Sequence, residues 1–201
     1  MGDDLALPPQ VVEVLMFWFG QPGSEAATYS QRRKLWFGKA PEVDRQIIDR
    51  FQRLYQQAAL GELDAWQQTP LGCLALLVLL DQFPRNMFRG TPQAFATDPQ
   101  ALALAKQAID QGFDQQLEPI QRIFFYLPLE HSENADDQAR SIERYQKLCA
   151  IAPELADTVD YAIRHQKVID RFGRFPHRNV ILGRESTLAE IEFLKQPGSS
   201  F

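Results

Sequence analysis

From Pro8-Pro9 to Thr187 the chain repeats one grammar: a proline or capping residue opens a segment with apolar side chains at three- and four-residue spacing, and a glycine closes it. No stretch pairs β-branched runs across an Asn-Gly or Asp-Gly turn, so strands are not required. Pro8-Pro9 opens a first helix whose body, residues 11–19, is apolar nearly all round, and Gly20 stops it. Pro41 begins an amphipathic helix carrying Val43, Ile47, Ile48, Phe51, Leu54, Tyr55 and Ala58 on one face before Gly61. Thr69-Pro70 caps the most apolar run, residues 71–80, and Pro84 should prevent its regular continuation.

The same reading continues to the C-terminus. Asp98-Pro99 starts a helix ended by Gly112, and Pro119 opens one with Ile120, Ile123, Phe124 and Leu127 on a stripe that Pro128 should end. Asn134, Asp136 and Asp137 supply the start of a helix reaching about Cys149. Pro153 leads what should be the longest amphipathic segment, through Leu155, Val159, Ala162, Ile169 and Phe172 to Gly173, and Thr187 with Glu190 forms a capping box for a short last helix. The fold class is therefore all-α. Short connections suit antiparallel neighbours, either in a bundle or in a right-handed stack of helical hairpins, and the pattern does not choose between them.

Composition narrows the setting. The 201 residues, 45% hydrophobic and 23% charged, suit a single domain spanning 1–201 with a short tail at about 196–201. The net charge of -5 argues against nucleic acid or an anionic membrane as a general partner. Residues 71–80 fall short of the roughly 20 needed to cross a bilayer. Met1-Gly2-Asp3-Asp4-Leu5-Ala6 has neither a basic start with an apolar run nor Ser or Thr at position 6, so a cytoplasmic location is expected. Cys73 and Cys149 read as reduced structural thiols, and Trp18, Trp36 and Trp66 as core or groove aromatics.

Three polar clusters stand out. Asp81-Gln82-Phe83-Pro84-Arg85-Asn86-Met87-Phe88-Arg89-Gly90 follows the most apolar helix. A carboxylate there faces the negative end of the helix dipole and the cost of desolvation, so Asp81 needs a cation, with Arg85 and Arg89 nearest. Such a pair serves either to fix the turn or to aim an arginine at a ligand. Next, Glu130-His131-Ser132-Glu133 sets an imidazole between carboxylates, as an acid-base group or a loop side chain. The third and densest runs from His165 to Arg171-Phe172-Gly173-Arg174-Phe175-Pro176-His177-Arg178-Asn179 and Gly183-Arg184. His165 flanks an apolar stripe and should point inward, while guanidinium groups on a Gly- and Pro-broken segment can converge on one carboxylate or phosphate or cross-link helix ends. Phe83-Pro84-Arg85-Asn86 and Phe175-Pro176-His177-Arg178-Asn179 form a weak internal echo.

Other chemistries lack their signatures: the chain has no P-loop, Gly-x-Gly-x-x-Gly, Gly-x-Ser-x-Gly or His-Glu-x-x-His. No His or carboxylate spacing is a recognised metal-ligand pair, so neither metal nor cofactor is expected, and metal-dependent hydrolysis ranks third. The leading expectation is a pocket for a small anionic molecule. Asp81, Arg85, Arg89, Glu130, Ser132, Arg171, Arg174, Arg178 and Arg184 would line it, with His131, His165 or His177 available for proton transfer. The rival is a helical scaffold taking a peptide or protein partner in a groove.

Over nearly its full length the chain resembles the bacterial family defined by domain of unknown function 924. The resemblance rests on Phe17-Trp18-Phe19, Trp36-Phe37, Asp81-Gln82-Phe83-Pro84-Arg85-Asn86, Phe88-Arg89-Gly90, Glu130-His131-Ser132-Glu133, Arg171 through Asn179, and Leu182-Gly183-Arg184. It implies an all-α fold of tetratricopeptide-like stacked hairpins and no particular reaction.

Overall fold

The computed structural model describes residues 7–200; the reading of Met1 to Ala6, and Phe201 at the end of the tail, lie outside them. The elements are α1 (Pro9–Phe19), α2 (Tyr29–Phe37), α3 (Pro41–Ala59), α4 (Pro70–Leu77), α5 (Phe83–Met87), α6 (Asp98–Asp110), α7 (Pro119–Glu130), α8 (Ala135–Cys149), α9 (Asp157–Phe172) and α10 (Leu188–Leu194). Short 3-10 turns join several of them, and no strand occurs among the described residues. None of their helices is long and apolar enough to cross a membrane.

Local chemistry sets these boundaries. The Thr69 hydroxyl accepts from the Gly72 N–H, Asn134 from Asp136 and Asp137, and Thr187 and Glu190 cap each other reciprocally. Gly173 ends α9 at φ +67°, a conformation that costs an L side chain about 1 kcal/mol or more. Two expectations need correction. The longest amphipathic helix is α3, with 19 residues against 16 in α9, because Pro153–Leu155 forms a separate 3-10 turn. Pro128 lies inside α7, which runs on to Glu130. At Pro84 the helix that begins at Pro70 continues, but not regularly, as expected.

How the chain passes Pro84 matters for the site. After α4 the helix widens into a π segment, Val78–Gln82, where the Phe83 N–H reaches back five residues to the Val78 carbonyl, and then resumes as α5. Pro84 has no N–H to offer the Leu80 carbonyl four residues earlier, and its ring would crowd that oxygen in a regular turn. The wider turn relieves the crowding. The Thr97 hydroxyl donates to the Leu80 carbonyl at 2.6 Å, and Arg85 Nη1 donates to the Asp81 carbonyl at 2.7 Å. The irregularity expected at Pro84 thus takes the form of a bulge that carries Asp81.

Packing then fixes the helices. Trp18, Phe51, Phe83 and Phe124 are fully buried and meet edge-on or tilted, with ring centroids 4.9–5.9 Å apart for the pairs Phe51–Phe83, Trp18–Phe83 and Trp18–Phe124. Trp36 joins them and donates its indole N–H to the Trp18 carbonyl at 2.9 Å. Cys73 and Cys149 are free thiols, as their separation suggested. Helices α6 to α9 each pack on the next, and α7, buried from Ile123 to Glu130, also contacts α4. A smaller cluster of Val168, Ile169 and Phe175, covered by Phe172 and Phe193, holds the C-terminal segment to α9.

Thr97→Val, which keeps the side chain's shape and removes its donor, should destabilise the protein by about 1–3 kcal/mol. Thr97→Ser should recover most of that loss. Urea unfolding midpoints provide the check, and an unchanged midpoint for the valine variant would refute the role given to the hydroxyl.

Candidate functional site

Asp81 is only 1% exposed, and the π segment sets its carboxylate among donors from two other parts of the chain. Its Oδ1 lies 2.8 Å from His131 Nδ1 and 3.4 Å from Arg85 Nη2, while Oδ2 accepts from the Gln82 amide. Burial alone would raise its pKa; the charge of Arg85, then the neighbouring His131 with its hydrogen bond and that of Gln82, hold it below the usual carboxylate range instead.

Arg85 makes its two-pronged pair elsewhere. Its Nη1 and Nη2 donate to Asp98 Oδ1 and Oδ2 at 2.9 and 3.1 Å, from the first turn of α6. Asp98 Oδ2 is also 3.5 Å from Arg178 Nη1, so one carboxylate serves two guanidinium groups. Arg178 is buried to 7% exposure and lies against two rings, 4.6 Å from the Phe175 centroid and 4.8 Å from that of Phe95. Its Nε has no hydrogen-bond partner among the described residues. Burial, and then the charge of Arg85, pull its pKa down to about 10. It stays cationic at neutral pH, yet is poorly compensated.

Asp98 and Arg178 border a cleft of about 370 Å³, lined also by His131, Ser132 and Glu133 together with apolar side chains from residues 92–102, Pro128 and Leu182. Burial and the neighbouring Arg85 outweigh the attraction of Asp81 and hold the His131 pKa below the ordinary imidazole value, which leaves the ring neutral at pH 7. The nearby carboxylate selects the tautomer in which Nδ1–H donates to Asp81, so that Nε2 carries the ring's lone pair. The arrangement can take up a proton at Nε2 and stabilise the resulting cation through Asp81.

The structure distributes the other candidates differently. His165 is buried behind His131, with Nδ1 3.0 Å from Glu130 Oε1 and 2.9 Å from the Tyr161 carbonyl. Glu130 is therefore drawn inward and away from the cleft lining. His177 stands beside Phe175, its pKa lowered to about 3 by burial and then by Arg178. Arg89 forms a two-pronged pair with Asp44 of α3, which Asn86 also engages. Arg174 is held by Glu190, Arg184 by Glu133, and Arg171 lies over Phe172 and Phe193. Ser132 lines the cleft but donates its hydroxyl to Asp137. Of the nine residues expected to line one pocket, the cleft is lined by Ser132 and Arg178, with Asp81 and Arg85 in the charge network beside it. Sequence reasoning missed Asp98 and Phe95; Asp98 had been accounted for as a helix start, and its place before Pro99 was the available signal.

In a double-mutant cycle Asp81→Asn should cost about 1–3 kcal/mol and couple to Arg85→Ala, while its effect should add to that of Arg89→Ala within about 0.5 kcal/mol. Additivity with both would remove Asp81 from the network. A pH dependence follows from the histidines. His131 and His177 have folded pKa values below the unfolded value of about 6.5, so their neutral forms stabilise the fold fully above that pH. That contribution is lost as pH falls from there towards the folded values. The melting temperature should be lower near pH 5 than near pH 7.5, and His177→Gln should narrow the gap; a melt unchanged or raised at the lower pH would contradict this assignment.

Comparison with known proteins agrees with the helical architecture. A solved structure of a protein of unknown function from Agrobacterium tumefaciens is similar, at 39% identity and a TM-score of 0.80, over 92% of this chain and 97% of that one. No significant match is found among curated proteins. The model of a family described as bacterial protein of unknown function (DUF924) matches residues 14–198, and the chain belongs to that family.

Proposed function

We propose that the cleft bordered by Asp98, His131 and Arg178 binds a small anionic ligand in a cytoplasmic protein, with His131 able to exchange a proton with it. The observation that carries this reading is Arg178: a buried cation whose Nε has no partner among the described residues and whose one ion pair among them, at 3.5 Å, is to a carboxylate already held by Arg85. An entering carboxylate or phosphate would supply the second acceptor that Arg178 lacks. The Phe95 and Phe175 rings hold the guanidinium in place, so little side-chain entropy would be lost on binding. His131 Nε2 would then take a proton from the ligand or from water, with Asp81 stabilising the imidazolium. Arg85 and Asp98 are positioning residues in this scheme.

A second reading, a tetratricopeptide-like scaffold for a peptide or protein partner, is favoured by Val180 and Leu188, which are 86% and 87% exposed near the C-terminal motif. Metal-dependent hydrolysis has no such support: no group of three or more His, Cys, Asp and Glu side chains among the described residues could hold an ion.

Thermal melts with acetate, phosphate and succinate separate the first two readings. At about a hundred times its Kd, a bound anion should raise the melting temperature by roughly 5–10 °C. Arg178→Ala should abolish the rise, and Arg174→Ala, whose guanidinium is occupied by Glu190, should keep it. If no anion moves the melt, or Arg178→Ala responds like the parent, the anion pocket is wrong.

A further inference from the structure

We infer that the ligand is an amphiphilic monoanion, a carboxylic acid with an apolar body, and that the cleft discriminates against phosphates and dicarboxylates; this rests on the anion-pocket reading above. Two independent observations meet here, the charge balance and the wall chemistry.

The charges around the polar end already cancel. Asp81 and Asp98 face Arg85 and Arg178, and Glu133 is occupied by Arg184 through two hydrogen bonds. A single carboxylate on Arg178 adds one negative charge, which protonation of His131 at Nε2 can offset. A second negative charge on the ligand would have no cation left, and it would lie in the same small cleft as Asp98. Desolvating an uncompensated charge there is costly.

Apart from Asp98, His131, Ser132, Glu133 and Arg178, the walls are apolar, formed by Pro92, Phe95, Pro99, Leu102, Pro128 and Leu182 among others. These side chains offer no side-chain hydrogen bond to a sugar or a second acid group, and they would bury methylene groups or a small ring. The cleft, at about 370 Å³, lies at the small end of ligand pockets, which suits a short chain. Chain length should therefore show in affinity, with roughly fourfold tighter binding per methylene buried.

Isothermal titration calorimetry on the full chain with acetate, butanoate, hexanoate, succinate and inorganic phosphate tests this. Affinity should rise along the three monocarboxylates and exceed that for succinate and phosphate by more than tenfold at hexanoate. Leu182→Ser should flatten the chain-length series. A flat series in the parent protein, an unflattened one in Leu182→Ser, or tighter binding of either polyanion would overturn the amphiphilic ligand and leave the anion pocket standing. Absence of binding by all five would overturn both.

Discussion

The site depends on one buried charge. Asp81 sits on the segment that continues the most apolar helix, where a lone carboxylate would cost several kcal/mol if it stayed ionised. It stays ionised because Arg85, His131 and Gln82 surround it. This requirement links three parts of the chain that are far apart in sequence: the π segment, the first turn of α6 through Arg85 and Asp98, and the end of α7 through His131. The bulge at Pro84 supports the arrangement locally, since it leaves the Asp81 carbonyl where Arg85 can bond it.

From Asp81 the charges alternate outward: carboxylate, Arg85, Asp98, Arg178. The weak echo between Phe83-Pro84-Arg85-Asn86 and Phe175-Pro176-His177-Arg178-Asn179 acquires a geometric meaning here, because each stretch delivers its arginine to Asp98. Each asparagine bonds outside its own stretch, Asn86 to Asp44 and Asn179 to Ser186 and Arg184. Arg178 ends the series with the least compensation, and it borders the cleft together with Asp98. A chain of alternating charges whose last cation is underused is what supports the proposed anion pocket.

Much of the fold was legible because it is local. Thr69, Asn134, Gly173 and the Thr187–Glu190 box each act within one turn, and the sequence reading placed all four correctly. Pro128, read as a stop, misled for a related reason: Pro84 and Pro128 each remove a hydrogen bond, and whether the helix stops depends on what else can satisfy or surround the freed carbonyl. Thr97, distant in sequence from Leu80, does so at Pro84. The candidate site was legible only in part. Asp81, Arg85, His131 and Arg178 do come together, whereas the dense run from Arg171 to Arg184 separates because Glu190 and Glu133 each claim one guanidinium across 16 and 51 residues. Side-chain pairing over such separations leaves no periodic trace. Asp98 was invisible for the opposite reason, since its place in the first turn of α6 already accounted for an acidic residue.

The central claim concerns His131 and the cleft beside it, so the most direct measurement is heteronuclear NMR of labelled imidazoles during titration with a small carboxylate. At pH 7 the free protein should show His131 neutral, protonated at Nδ1 and bare at Nε2. Added carboxylate should move the His131 resonances strongly and those of His165 and His177 little. A His131 that is already charged, or that carries its proton on Nε2, or a titration that perturbs the other two rings and leaves His131 untouched, would contradict the site as described.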